Sequence, residues 1–249
     1  MKDKIAIVTG ASSGIGAATA LAFARAGLRQ MLIGRDQART EATATACRAE
    51  GAEAEVLLGD VAESRFADEA VAQTLARFGG LDVLANIAGT IRRGAAPDCS
   101  DEDWHANIAA NLSGPFFLSR AAVRVMKQGS AIVNLGSTVG LVGAANLPAY
   151  CASKGGVVNL TRAMALDHAA GDIRINAVCP GAVDTPMLVS NHAEGVTATA
   201  VHEGNLASIP QGRIPAPEEI ADLILFLASE KSAHITGAAI PIDGGYTAC

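Results

Sequence analysis

The feature that most restricts the fold is a regular alternation of short apolar runs with longer helical ones. "KIAIVT" (4–9) reads as a buried strand, and the alanine-rich "GIGAATALAFARAG" (14–27) as the helix after it. The pattern repeats as "RQMLIG" (29–34) with "DQARTEATATACRAEG" (36–51), and as "AEVLLG" (54–59) with "AESRFADEAVAQTLARFG" (62–79). "DVLANIAG" (82–89) is a strand running into a glycine turn. A long helical stretch over about 101–126 starts near Ser100, with Glu102 and Asp103 in its first turn, where acids suit the helix dipole. "SAIVNLGS" (130–137) and "IRINAVCPG" (173–181) read as strands flanking a helix at about 149–170. "PEEIADLILFLAS" (217–229) is a final helix and "AAIPIDGG" (238–245) a final strand.

Strands that are apolar along their whole length belong to a parallel sheet covered on both faces. Right-handed crossovers then give an α/β fold: a single-domain, Rossmann-like, doubly wound parallel sheet with helices on both faces, spanning 1–249. Ligands of such sheets bind at the carboxyl ends of the strands. Half of the residues are hydrophobic, enough for a sizeable core. Residues 184–212 break the alternation; with Pro186, Gly195, Gly204, Pro210 and Gly212 they read as a lid or binding loop over the substrate.

The net charge of −6 and the lack of a basic patch argue against nucleic acid and against an anionic membrane surface. No eighteen-residue apolar run indicates a spanning helix, and the N-terminal segment lacks the apolar core of a signal peptide. Cys47, Cys99, Cys151, Cys179 and Cys249 are scattered and without CxxC spacing, so neither a disulfide framework nor a metal site is expected. A reducing cytoplasm is the simplest location.

"TGASSGIG" (9–16) joins the first strand to the first helix. Gly10 allows a tight turn, while Gly14 and Gly16 allow close approach of backbone to a phosphate and of helix to strand. The helix N-terminus adds free N–H groups and a positive dipole. A tight ligand-free connection would use the same glycines. The second strand ends at Gly34, followed by Arg35 and Asp36. Arg35 is either a ligand for the 2′-phosphate of NADP or a solvated loop cation, and Asp36 suits a helix N-cap. NADP is therefore the expected cofactor, with NAD as the alternative.

In "AYCASK" (149–154), Tyr150 and Lys154 stand one helical turn apart on one face. Taken singly, a tyrosine is usually a packed core residue, a serine after a strand a turn or cap, and an asparagine in a helical stretch a surface residue. Their joint occurrence in this order favours a site. Cys151 reads as a small packing residue.

The glycine loop, "NIAG" (86–89), Ser137 and the Tyr150–Lys154 pair together resemble the short-chain dehydrogenase/reductase family, in its short single-domain branch. The resemblance covers essentially the whole chain and is specific for fold and reaction, not for substrate. It implies cofactor contacts from Gly10, Ser12, Ser13, Ile15 and Gly16 in the loop, and from Asp60 and Val61 of "GDV". It implies others from Asn86, Ala88 and Gly89 of "NIAG", and from Pro180, Gly181, Val183 and Thr185 around the nicotinamide. Ile87 stands where the family's motif has a second asparagine. The implied catalytic set is Asn111, Ser137, Tyr150 and Lys154, with Tyr150 and Lys154 also touching the cofactor and Asn111 holding a water that links Lys154 to solvent. A free phenol has a pKa of about 10, and a nearby ammonium favours its ionised form. Tyr150 is thus the expected acid in reduction and base in oxidation, with Ser137 donating to the substrate oxygen.

The expected substrate pocket draws on Ser137 and Tyr150, with walls from Val139, Leu141, Ala144, Ala145, Leu147, Met187 and Leu188. These mostly apolar residues suit a small molecule with a moderately hydrophobic body. Arg92 and Arg93 are either a solvated basic pair or a contact for an anionic group. Resemblance implies a homotetramer packed through the helices near 101–126 and 149–170 and the terminal helix–strand unit. Three functions follow. The first is NAD(P)-dependent interconversion of a secondary alcohol and a ketone. The second is reduction of 3-oxoacyl groups on acyl carrier protein, with Arg120, Arg124 and Lys127 as a docking surface. The third is a nucleotide-sensing regulator without catalysis.

Overall fold

All five residues of strand β1 (Ile5–Thr9) are buried, so it is covered by helices on both faces. It pairs in parallel with β2 (Arg29–Gly34) and β4 (Val83–Asn86). With β3 (Ala54–Leu58), β5 (Ala131–Leu135), β6 (Arg174–Pro180) and β7 (Ala239–Ile242) these form a seven-stranded parallel sheet in the order β3-β2-β1-β4-β5-β6-β7. The computed structural model describes residues 1–192 and 195–248. After β1 the chain winds outward to β2 and β3, then returns to place β4 on the other side of β1. Crossovers leaving in opposite directions open a crevice at the carboxyl ends of β1 and β4.

Side chains alternate across each strand and so feed two cores. Ile7 and Leu84 pack with Phe66 of α3 (Ser64–Phe78), Leu118 of α5 (Gly114–Val123) and Met164 of α6 (Pro148–His168). Val8 and Leu32 pack on the other face with Phe23 of α1 (Gly14–Arg25), Ala44 of α2 (Gln37–Ala49) and Ile224 of α8 (Pro217–Ala228). Burying a side chain such as Ile7 or Phe23 contributes about 1.5–3 kcal/mol.

The stretch near 101–126 is not one regular helix. It is α4 (Asp101–Ile108), a π-helical segment (Ala109–Ser113) and α5. Ser100 caps α4 by accepting from Asp103 N–H at 3.1 Å. The irregular segment has a local cause: Pro115 has no N–H to offer the Asn111 carbonyl four residues back. Within 184–212, α7 (Ala198–Ser208) is a helix that alternation did not suggest, capped by Thr197, whose Oγ1 accepts from Ala200 N–H at 3.2 Å. Residues 193 and 194 of that stretch, and Cys249, lie outside the described residues. Among the described residues no helix is long and apolar enough to cross a membrane.

Candidate active site

The crevice holds a cavity of about 640 Å³ whose floor is the β1–α1 loop. Ser12, Ser13, Ile15 and the glycines line it. Gly10 has φ +68°, and a Cβ there would meet the backbone of Ala88 at 2.9 Å. A Cβ on Gly16 would collide with the Gly10 carbonyl. The loop is locked to the end of β4: Thr9 Oγ1 accepts from the N–H groups of Ile87 (2.8 Å) and Ala88 (2.9 Å). The first-turn N–H groups of α1 have no intrahelical partners and face this cavity, an arrangement suited to a phosphate. Asp60, Val61, Ala88 and Gly89 complete the wall.

At the rim, Arg35, Asp36 and Arg39 come together. Asp36 caps α2, accepting from Arg39 N–H at 3.0 Å, and also takes Arg39 Nε at 2.8 Å. These bonds hold its carboxyl below the usual range. Arg35 is exposed, with Asp60 Oδ2 at 3.8 Å. Arg39 was not foreseen; its signal is its place one turn beyond the capping aspartate.

Asn86 departs from expectation. Its side chain is 2% exposed and turned into the core, where Nδ2 donates to Asn134 Oδ1 (2.8 Å) and Ser119 Oγ (3.0 Å). Asn86 and Asn134 are register partners on β4 and β5, so the bond ties those strands under the cleft rather than lining it.

A second cavity of about 260 Å³ adjoins the first, sharing Ile15, Leu135, Thr185 and Met187. Ser137 and Tyr150 line it, with Pro180, Gly181 and Val183. Ser137 Oγ accepts from Val139 N–H at 3.4 Å and donates to Pro180 O at 3.5 Å. Burial pushes the Tyr150 phenol up to about 12, opposed by hydrogen bonding with Ser137 and then by the Arg93 guanidinium. Burial pushes Lys154 down to about 8. Its Nζ donates to Leu135 O at 2.7 Å and lies 5.7 Å from the centre of the Tyr150 ring. Arg93 thus adds a second cation to Lys154, the one that the spacing places beside Tyr150.

Asn111 is buried and its side chain is fully occupied. Oδ1 accepts from Thr90 N–H (2.8 Å), while Nδ2 donates to Thr90 O (2.9 Å) and Ser153 Oγ (3.1 Å). It thereby ties the "NIAG" turn to α6, and a Cβ on Gly89 would meet its Oδ1 at 2.7 Å.

Val139, Leu147, Met187 and Leu188 line the smaller cavity as expected of their positions. Ala145 does not; it is exposed, and Ala144 takes the wall instead. Leu141 is also exposed and off the wall. Ile209, Asn205 and Tyr246 are lining residues that were not foreseen. They come from the α7 segment and the C-terminal turn, which only the fold brings here.

A family model described as enoyl-(acyl carrier protein) reductase matches residues 10–247. The chain is 38% identical to 2-(S)-hydroxypropyl-CoM dehydrogenase 3 of Xanthobacter autotrophicus, covering 100% of this chain and 98% of the relative. It is also 38% identical to a 3-oxoacyl-[acyl-carrier-protein] reductase of Thermotoga maritima, covering 98% of each. The chain belongs to the short-chain dehydrogenase/reductase family. Among solved structures, levodione reductase superposes with a TM-score of 0.95 at 29% identity, covering 100% of this chain and 99% of the other. As a short-chain dehydrogenase/reductase, the chain is an NAD(P)-dependent oxidoreductase of the alcohol dehydrogenase and ketone reductase type. Equal identity to two relatives with different substrates means that family likeness does not select the substrate here.

Proposed function

We propose that this enzyme interconverts a secondary alcohol and a ketone with Tyr150 as acid and base, Ser137 holding the substrate oxygen, and NADP as the preferred cofactor. The observation that carries the reading is the junction of the two cavities, where a phosphate-ready glycine loop opens into a chamber holding the Ser137 and Tyr150 hydroxyls. The loop, Asp60, Val61, Ala88, Gly89 and Thr185 would hold the dinucleotide, which supplies or accepts the hydride. A phenol held near 12 stays protonated at neutral pH, suiting proton donation in ketone reduction. In the alcohol-forming direction the Tyr150 proton passes to the substrate oxygen while Ser137 keeps that oxygen aligned. Lys154 anchors the floor through Leu135 and carries the proton path. The Asn111 side chain is engaged with Thr90 and Ser153, so a water of that path would rest on the Asn111 main-chain carbonyl in the π-helical segment.

Arg35 and Arg39 at the rim support NADP. So does Asp36, whose carboxylate is spent on the cap of α2 and on Arg39 rather than left for a ribose hydroxyl. The carrier-protein reading stays the minor alternative, since two of its three docking cations are engaged within the chain. Arg120 donates to Ser64 Oγ and stacks on Phe116 and Phe117, and Arg124 lies 3.7 Å from Asp68. The assembly we propose is a homotetramer through the α5 and α6 faces, where Phe116 and Leu166 are exposed. Its location is the cytoplasm, consistent with the free thiols of Cys47, Cys99, Cys151 and Cys179.

A carbonyl and alcohol panel assayed with NADPH and NADH tests the reading. Tyr150→Phe is expected to keep cofactor affinity, measured by NADPH fluorescence titration, and to lose about 10²–10⁴-fold in kcat. Turnover near that of the wild type would remove Tyr150 from the chemistry.

A further inference from the structure

We propose that Arg93 is the anion-recognition residue of the smaller cavity, and that the substrate is a hydroxy acid or keto acid whose carboxylate it holds. The inference rests on reading that cavity as the substrate site. Only two described residues lining it carry charge, Arg93 and Asp243. Asp243 cannot serve Arg93: its carboxylate accepts from Gly245 N–H (3.0 Å), Thr247 N–H (2.9 Å) and Thr247 Oγ1 (2.6 Å). Arg93 Nε donates to Ser190 O at 3.4 Å. Among the described residues no carboxylate pairs with its guanidinium, and no hydrogen bond engages the two terminal nitrogens. The neighbouring Arg92 behaves differently: it is exposed, faces the dinucleotide cavity, and has Asp103 at 3.8 Å and Asn191 Oδ1 at 3.4 Å.

A partly buried cation without a counter-ion bears a desolvation penalty that an incoming anion relieves. Burial does depress the Arg93 pKa. With Nε tethered, the terminal nitrogens form the fork that takes a carboxylate through two bonds. Arg93 lines the same small cavity as Ser137 and Tyr150, so the anion it holds shares that chamber with the reacting oxygen. The remaining wall, with Ile91, Val139, Leu147 and Leu188, is apolar, and the volume is about 260 Å³. A short acid with a compact apolar body fits both facts.

The test uses the full chain with NADPH and matched pairs of keto acid and neutral ester: 4-oxocyclohexanecarboxylate and acetoacetate, each against its methyl ester. The wild type should favour the acids by about tenfold or more in kcat/KM, with the difference in KM. Arg93→Met should collapse the acid-to-ester ratio to about one, and Arg93→Lys should restore part of it. Calorimetry of cyclohexanecarboxylate against cyclohexanecarboxamide, on enzyme loaded with NADP, reads the same preference without turnover. No preference for the carboxylate in the wild type overturns the proposal. So does a preference that survives Arg93→Met, or an equal loss on acid and ester, which would mark Arg93 as a positioning residue for Tyr150. An enzyme that reduces the esters through Tyr150 without favouring acids fails here and leaves the proposed reaction standing. Turnover that does not depend on Tyr150 does the reverse.

Discussion

A single carbon added at Gly16 would strike the Gly10 carbonyl, and one added at Gly10 would press on Ala88. The same carbon added at Gly195, Gly204 or Gly212, in the segment beside the smaller cavity, would have nothing within 4 Å. At Gly10 and Gly16 the dinucleotide half of the cleft is thus backbone in contact with backbone, with its shape set by strands β1, β2 and β4. The substrate half draws on side chains from 138–147, 184–212 and the C-terminal turn; it is close-packed at Gly140, where a Cβ would meet the Lys154 backbone at 2.7 Å, and open at Gly195, Gly204 and Gly212. A cofactor common to many enzymes can be met by a rigid cradle. Substrate choice, which varies among relatives of equal identity, falls to the half with the open segment, where Gly204 has free space and an ordinary φ while Gly195 and Gly212 hold positive φ.

The largest effect should come from closing the rigid half. Gly16→Ala must displace the Gly10 carbonyl or the start of α1, and overpacking of this kind costs about 1–3 kcal/mol. Spent on the cradle, that is a loss of about tenfold to 100-fold in NADPH affinity. Fluorescence titration measures it, and circular dichroism should show the sheet retained. Unchanged affinity would mean that the loop is not the phosphate cradle. At the rim the contrast is of charge rather than space. Arg35→Asp should lower the NADPH-to-NADH preference in kcat/KM by about tenfold or more. An unchanged preference would move the 2′-phosphate away from Arg35 and leave Arg39 as its remaining candidate.

Lys154 sits under the junction of the halves, 3% exposed, with a pKa near 8 against an ordinary 10.5. The fold therefore penalises its charge. Below about pH 8 the folded and unfolded chains both carry the proton and the penalty is full; as pH rises toward about 10.5 it disappears. Lys154→Met should thus abolish turnover yet stabilise the cofactor-free protein at about pH 7, by about 1–3 kcal/mol, with the gain shrinking by about pH 10. Thermal unfolding of both proteins at the two pH values checks it. Destabilisation at neutral pH would show that the bond to Leu135 outweighs the buried charge.

The same division governs what could be read from residues alone. The parallel, doubly wound sheet and the glycine cradle follow from features with a period or a fixed partner: all-apolar strands, glycines that admit no side chain, and caps such as Asp36 and Ser100 placed just before their helices. Elements without such a signal were misread. Only Val201 is buried in α7, so no apolar stripe marks it as a helix. Ala144 and Ala145 lie in an irregular segment where neither the helical nor the strand period says which faces the cavity. Asn86 turns inward because Asn134 is its register partner, and register is a property of two strands brought together by the fold. The closeness of Arg93 to Tyr150 is of the same kind, since the two are far apart in the chain.

The smallest effect should lie at Gly204, the counterpart of Gly16 in the open half. It is exposed, sits inside α7, and has helical space for a side chain on every side. Glycine at such a position lowers helix stability relative to alanine through the freedom it retains when unfolded. Gly204→Ala should therefore stabilise α7 by about 0.5–1 kcal/mol. Because the gain is local, amide exchange over 198–208 should slow by about two- to fivefold while exchange in β1 and β4 is unchanged. Asn205 and Ser208, on the same helix, line the smaller cavity, so a stiffer α7 should change KM for the substrate and leave NADPH affinity alone. An equal change in both constants would mean that the two halves of the cleft move as one body, and the separation drawn from their glycines would fail.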